Sequence, residues 1–173
     1  MVRERSPSSS KETEEIEEIK ERTAFEFAWR VNSYLNEYIQ FADTKAGTII
    51  IFFTFTIGLY TSLWPREANF ALLLIGVGLS LIPMLLALVV ITPRLPKPAH
   101  KGLLFWRNIT EFKSSDDYCE ALKKAEYLKE ITQQNYILAQ VAHRKYTWLQ
   151  WAICVTCVAL LYLVSSFAWI TKR

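Results

Sequence analysis

The stretch TIIIFFTFTIGLYTSLW-PREAN-FALLLIGVGLSLIPMLLALVVIT, residues 48–92, decides the fold. It is two uncharged apolar runs, residues 48–64 and 70–92, joined by Pro65-Arg66-Glu67-Ala68-Asn69. The second run has 23 residues. At about 1.5 Å per residue it covers roughly 34 Å, enough for a hydrocarbon core of about 30 Å. The first has 17 residues, near the lower limit, and Ala46 and Gly47 extend it. A third run, residues 147–170, is 24 residues without Asp, Glu, Lys, Arg or His. The competing reading is a soluble bundle of buried helices. Core helices rarely stay uncharged for more than about 20 residues, so three such runs favour an integral membrane protein.

Composition hides this, because charged residues make up 21% and mean hydropathy is only +0.13. Nearly all the charge lies outside the three runs. The 173 residues leave little room for a separate enzyme domain. A net charge of +3 needs no nucleic-acid partner, and none is expected. Of three cysteines, two lie inside the third run, so no disulfide framework is implied.

Residues 1–47 are long and largely polar, which makes the first run a signal anchor rather than a cleaved leader. Lys and Arg number seven before the first span, one between the first two (Arg66), ten in residues 93–146 and two in the tail. The positive-inside rule then places the N-terminus in the cytoplasm, with the two tail residues as a small exception. Tyr60, Trp64 and Trp169 suit the outer interface, and Trp148 and Trp151 the inner one.

Residues 1–10 read as a disordered tip, rich in serine around Pro7. Residues 11–45 read as a cytoplasmic amphipathic helix opened by the capping-box spacing Ser9-Ser10-Lys11-Glu12. Its acidic first turns suit the positive end of the helix dipole. Ala24, Phe27, Val31, Leu35, Tyr38 and Ala42 form its apolar stripe. The stripe packs on a partner helix or lies on the membrane surface. The acidic start favours packing, because an anionic leaflet would repel it. At Asp43-Thr44-Lys45-Ala46-Gly47, Lys45 either snorkels at the bilayer edge or belongs to a charged collar at a pore or signal entrance.

Residues 46–92 form a transmembrane hairpin with spans at 46–64 and 70–92. Gly76 and Ser80 are a small-xxx-small pair that permits close helix approach, and Pro83 predicts a kink. No span contains an ionisable acid or base, which argues against a pump or secondary transporter. Pro93, Pro96 and Pro98 end the second span. Residues 93–146 form a cytoplasmic segment and helical stalk. Its apolar patch Leu103-Leu104-Phe105-Trp106 docks under the other cytoplasmic helices or at headgroup level. Asn108-Ile109-Thr110 matches a glycosylation sequon but lies on the expected inner side.

From Asp116 onward there is no Pro or Gly, so one helix of about 55 residues is expected, continuous with the third span at 147–170, before a tail at 171–173. Glu120–Lys124 and Glu126–Lys129 are favourably spaced ion pairs. Ala121, Ala125, Leu128, Thr132, Asn135, Ala139, Ala142 and Tyr146 form the opposite face, with Asn135 buried in the seam, where an Asn commonly sets register or oligomer state. The fold class is therefore an all-α membrane protein: three transmembrane helices with N-terminal and C-terminal-half cytoplasmic helices, the latter continuous with the third span.

No nucleophile–base set, phosphate loop or metal cluster is visible, and no cofactor is expected. Cys154-Val155-Thr156-Cys157 has redox spacing but lies in a span, where a thiolate is poorly solvated. What remains is a binding surface. Arg107, Lys45 and His143-Arg144-Lys145 together make a basic site for a phosphate-bearing ligand, or else serve headgroup contact and topology.

One ordered set of short motifs runs through nearly the whole chain from about Asn32. It comprises Asn32-Ser33-Tyr34, Ala42-Asp43-Thr44-Lys45-Ala46-Gly47, Gly102-Leu103-Leu104-Phe105-Trp106-Arg107-Asn108-Ile109 and Asp117-Tyr118. It ends with Ile131-Thr132-Gln133-Gln134-Asn135-Tyr136-Ile137-Leu138-Ala139 and Lys145-Tyr146. In that order, around these spans, the set resembles the transmembrane effectors of Pycsar, the pyrimidine cyclase system for antiphage resistance. The chain departs from the usual pattern at Trp106-Arg107, where Phe-Gly is common, and at Tyr136, where Ser often follows the Asn.

The resemblance implies a non-enzymatic effector in the bacterial inner membrane, multi-pass with a cytoplasmic N-terminus. It would sense cyclic UMP or cyclic CMP made by a neighbouring cyclase and impair the lipid bilayer, causing abortive infection. A homo-oligomer is expected, with ligand contacts at Asp43, Lys45, Arg107, Asn135, Arg144 and Lys145. The alternative is a membrane adaptor or structural protein whose stalk recruits a partner and binds no nucleotide. A small channel or transporter subunit is a third class.

Overall fold

A computed structural model describes the backbone of residues 7–65, 68–92, 103–104 and 106–171, and the side chains of 13–65, 68–92, 103–104 and 108–170. The described residues form five helices: α1 (Pro7–Ser62), α2 (Phe70–Ile91), α3 (Trp106–Ile109), α4 (Ser115–Lys123) and α5 (Tyr127–Thr171). Among them there is no strand. Three helices, α1, α2 and α5, contain windows long and apolar enough to cross a membrane.

The chain divides into two compact units. The first combines Met1–Asn36 with Pro96–Ala139, and the second Glu37–Leu95 with Gln140–Arg173. Both are built on α1 and α5.

In the first unit, α1 and α5 meet through Asn32 and Asn135. The Asn32 amide donates to Asn135 Oδ1 at 2.9 Å, and the Asn135 amide donates to the Ala28 carbonyl at 2.8 Å. Ala28 and Ile131 are buried beside them. The expected α1 stripe is therefore corrected: Phe27 is 69% exposed, and the buried line passes through Ala28, with Asn32 and Leu35 half-buried on the same side. Apolarity alone picks the wrong face here. Asn135 must find hydrogen-bond partners once it leaves water, and Asn32 and the Ala28 carbonyl supply them. The α5 face is corrected likewise, since Thr132 and Ala139 are exposed whereas Ile131 is 1% exposed.

The expected unbroken helix from Asp116 is also corrected. It is interrupted between Lys123 and Tyr127, although Lys124-Ala125-Glu126 are all good helix formers. Tertiary bonds hold the break. The Tyr127 hydroxyl donates back to the Leu122 carbonyl at 2.9 Å. The Glu130 carboxylate accepts the Leu103 N–H at 2.7 Å, and the Tyr118 hydroxyl donates to the Leu103 carbonyl at 3.0 Å. Leu103 thus docks onto the helices of the first unit, beside Phe25, Trp29, Leu122 and Ile131, while the Phe105 and Trp106 side chains of the apolar patch lie outside the described residues. Ser114 caps α4, its hydroxyl accepting from Asp117 N–H at 3.1 Å. The two expected ion pairs form, at 3.9 Å for Lys124–Glu120 and 3.3 Å for Lys129–Glu126, but both are exposed and contribute little. The expected tip at 1–10 falls mostly outside the described residues. α1 is helical from Pro7, and proline suits a first helical position.

In the second unit, rising residue numbers on α1 meet rising numbers on α5. Ala42 and Ala46 pack with Leu149, and the Tyr60 hydroxyl bonds Ser166 Oγ at 2.9 Å. The two helices are therefore parallel. α2 runs the other way: Val90 and Ala87 join the Ala42 cluster, while the Leu72 carbonyl accepts from the Tyr162 hydroxyl at 3.1 Å. Gly76 explains how closely α2 approaches, because a Cβ there would lie 2.7 Å from the Tyr60 ring. Pro83 is buried inside α2, which continues to Ile91. Along α1 the buried positions 42, 46, 53 and 60 of the second unit fit one seam of alternating three- and four-residue steps. On α5, 142, 149, 152, 159, 163 and 166 do the same. A step averaging 3.5 residues is that of left-handed helix pairs.

The apolar surface of the second unit faces outward, with Ile51, Phe55, Leu85, Leu161 and Val164 all exposed. Thr44, Thr48, Thr54, Thr56 and Thr61 turn their hydroxyls back to a carbonyl four residues earlier, which satisfies these donors without water.

Candidate functional site: a basic boundary on the second unit

At the edge of the apolar windows, α1 contributes Asp43 and Lys45, α2 contributes Thr92, and α5 contributes Arg144, Lys145 and Trp148. These positions follow from where charge stops. On α5 the last cations precede the uncharged run that begins at Thr147, and α2 closes with Thr92 just after its apolar run. The Thr92 hydroxyl and N–H both bond to the Leu88 carbonyl, at 2.7 and 2.9 Å, and finish the helix.

Asp43 and Lys145 form an ion pair and hydrogen bond across 102 residues of sequence. The Lys145 side chain is only 11% exposed. The Asp43 side chain is 36% exposed, so desolvation falls mainly on Lys145, and removing Asp43 leaves that charge uncompensated. Tyr38 and Tyr146 stack at 4.3 Å between centroids close by, and the Tyr146 hydroxyl donates to the Tyr38 carbonyl at 3.3 Å. Lys45 lies 4.2 Å over the Phe41 ring.

Of the expected ligand contacts, Asp43, Lys45, Arg144 and Lys145 thus belong to the second unit, and Asn135 to the first. The Arg107 side chain lies outside the described residues. Asp43, Lys145 and Asn135 each make bonds within the chain. Arg144 differs. It is exposed, and among the described residues no carboxylate pairs with it. It lines a cavity of about 370 Å³ with Val89, Val90, Thr92, Val141, Lys145 and Trp148. The sequence does not show the roles of Thr92 and Trp148: Trp148 reads as an interfacial aromatic, but nothing in its spacing shows that α2 ends beside it.

The first unit offers a wider cleft of about 760 Å³, lined by Glu21, Arg22, Phe25, Glu126, Tyr127, Lys129 and their neighbours. Its cations are already paired, Arg22 with Glu26 and Lys129 with Glu126. An anion entering it would also meet Glu21. For a phosphate-bearing ligand the boundary cavity is the better electrostatic match. No group of three His, Cys, Asp or Glu side chains that could hold a metal ion occurs among the described residues.

The Pycsar effector protein domain matches residues 27–172. A Staphylococcus aureus protein, "Pycsar effector protein SaPycTM", is 32% identical over 142 residues, covering 78% of this chain and 88% of that protein. No solved structure matches the chain. With the match running from the Asn32 seam to the end of the third span, the chain belongs to the Pycsar effector family.

Proposed function

We propose that the protein is an antiphage effector that senses a cyclic pyrimidine mononucleotide, cyclic UMP or cyclic CMP, and impairs the bacterial inner membrane. It acts as a homo-oligomer, with its N-terminus in the cytoplasm and the lipid bilayer as its target. The observation that carries the reading is family membership combined with the way α1 and α5 are each single helices containing both a polar half and an apolar, membrane-length half. Ligand binding that alters the pairing of these helices in one half changes the helix that the other half is made from. The device is then two helices that share states, and the ligand biases one state by its differential affinity.

The test is titration of cyclic UMP and cyclic CMP onto the full chain in nanodiscs, followed by dye release from liposomes. Saturable binding of one nucleotide and nucleotide-dependent release support the reading. Sealed liposomes at saturating nucleotide remove the membrane step, and absence of binding at high micromolar levels removes the sensing step. Orientation is read from Cys119, which is exposed in α4. With Cys154 and Cys157 replaced by Ser, an impermeant maleimide labels inverted inner-membrane vesicles and leaves spheroplasts unlabelled.

The adaptor reading has one observation in its favour. Phe27, Tyr34 and Tyr136 are aromatic side chains exposed on the first unit. An adaptor without nucleotide binding gives no titration signal in the same experiment.

A further inference from the structure

We infer that the boundary cavity of the second unit is a phosphate-recognition site, with Arg144 as its anion contact and Trp148 and Val90 as its apolar and aromatic walls. The argument has three parts. The first is charge. Arg144 is an exposed cation, and among the described residues nothing pairs with it. The other cation on the cavity wall, Lys145, is held by Asp43. Among the described residues no carboxylate lines the cavity. The local field therefore favours an anion, and a guanidinium matches the paired oxygens of a phosphodiester.

The second part is the mixed lining. Val89, Val90 and Val141 supply an apolar floor, and Trp148 is 39% exposed beside it. A bare inorganic anion gains nothing from such a floor. A phosphodiester that carries an acyl-glycerol or a flat base does, through burial and through stacking on the indole. The third part is level. The cavity lies where the apolar window of α2 ends and that of α5 begins. Headgroup phosphates occupy that depth, and arginine and tryptophan at a helix end are suited to it.

The ligand class is thus a phosphodiester monoanion with an apolar or aromatic substituent. Two sources fit: an anionic glycerophospholipid, and the cyclic mononucleotide of the preceding section. The nucleotide arm rests on that proposed function, and the lipid arm does not.

The experiment uses the full chain in nanodiscs and reads Trp148 as the emission difference between the protein and its Trp148→Phe variant. In the lipid arm, phosphatidylglycerol brominated near the headgroup is compared with brominated phosphatidylcholine at equal mole fraction. A preference for phosphatidylglycerol that is abolished by Arg144→Gln assigns the site to lipid. In the nucleotide arm, cyclic UMP and cyclic CMP are titrated in phosphatidylcholine nanodiscs. A Trp148 response whose midpoint weakens about tenfold in Arg144→Gln, and is recovered only in part by Arg144→Lys, assigns it to the nucleotide. Helix content by circular dichroism confirms that the variants fold. Nucleotide binding untouched by Arg144→Gln, with equal quenching by both lipids, overturns the site and leaves the sensing function standing. Absent nucleotide binding with a lipid preference that depends on Arg144 does the reverse.

Discussion

The two units solve one packing problem with two different exteriors. In both, the seam of α1 and α5 includes buried alanines, Ala28 in the first and Ala42 and Ala46 in the second. In both, a polar bond within the seam adds register: Asn32 to Asn135 in the first and Tyr60 to Ser166 in the second. The outsides differ. The first unit exposes Arg22, Glu26, Lys124 and Glu120, whereas the second exposes Phe55, Leu85, Leu161 and Val164. The exteriors differ in charge, whereas shape with hydrogen bonding decides the interior in both.

The comparison breaks first at the charged boundary. Asp43→Ala leaves Lys145 buried without its partner, and the second unit is expected to lose about 3 kcal/mol. Thermal unfolding in detergent followed by circular dichroism measures it. The Asp43→Ala/Lys145→Met double variant should recover more than half of that loss, which a merely volume-dependent effect would not do.

The polar seam of the first unit is the next point of attack. Asn135→Leu strands the Asn32 amide and is expected to cost about 2 kcal/mol. Hydrogen exchange read by mass spectrometry should show faster exchange across residues 127–139. Protection that stays unchanged would mean that the bond is incidental. Pairing Asn135→Leu with Asn32→Leu should restore most of the stability while weakening the choice of a single register.

The seam of the second unit is sharpened by two glycines on one helix. Gly76→Ala forces the Tyr60 ring away from its bond to Ser166, with a loss of about 1–2 kcal/mol. Gly78→Ala meets open space and should be neutral, or stabilising by under about 1 kcal/mol through helix propensity. Equal melting temperatures for the two would refute the close approach of α2 to α1.

The smallest effect belongs to the residue that sequence patterning misplaced. Phe27→Ser should change the stability of the first unit by less than about 0.5 kcal/mol, whereas Ala28→Leu should destabilise it by over-filling the seam. A large loss in Phe27→Ser at micromolar concentration, with a change in sedimentation, would place this aromatic in an interface between copies.

What the chain alone determined is the part governed by long-range averages over many side chains. Three uncharged runs require a lipid-like environment for three helices, because so much apolar surface cannot be left in water. The Gly76–Ser80 spacing marked a close helix approach, and Lys145 marked the boundary. Tertiary structure alone decided the items that depend on a single partner. Asn32 became the mate of Asn135, Asp43 that of Lys145, and Arg144 was left without a carboxylate among the described residues. The break at Lys124–Glu126 is the clearest case, because its local propensities all favour helix and only the bonds of Tyr127, Glu130 and Tyr118 oppose it. Periodicity reports which faces are apolar on average. Which atom meets which is set by hydrogen bonds and ion pairs between particular partners, some of them about a hundred residues apart, and no local pattern encodes them.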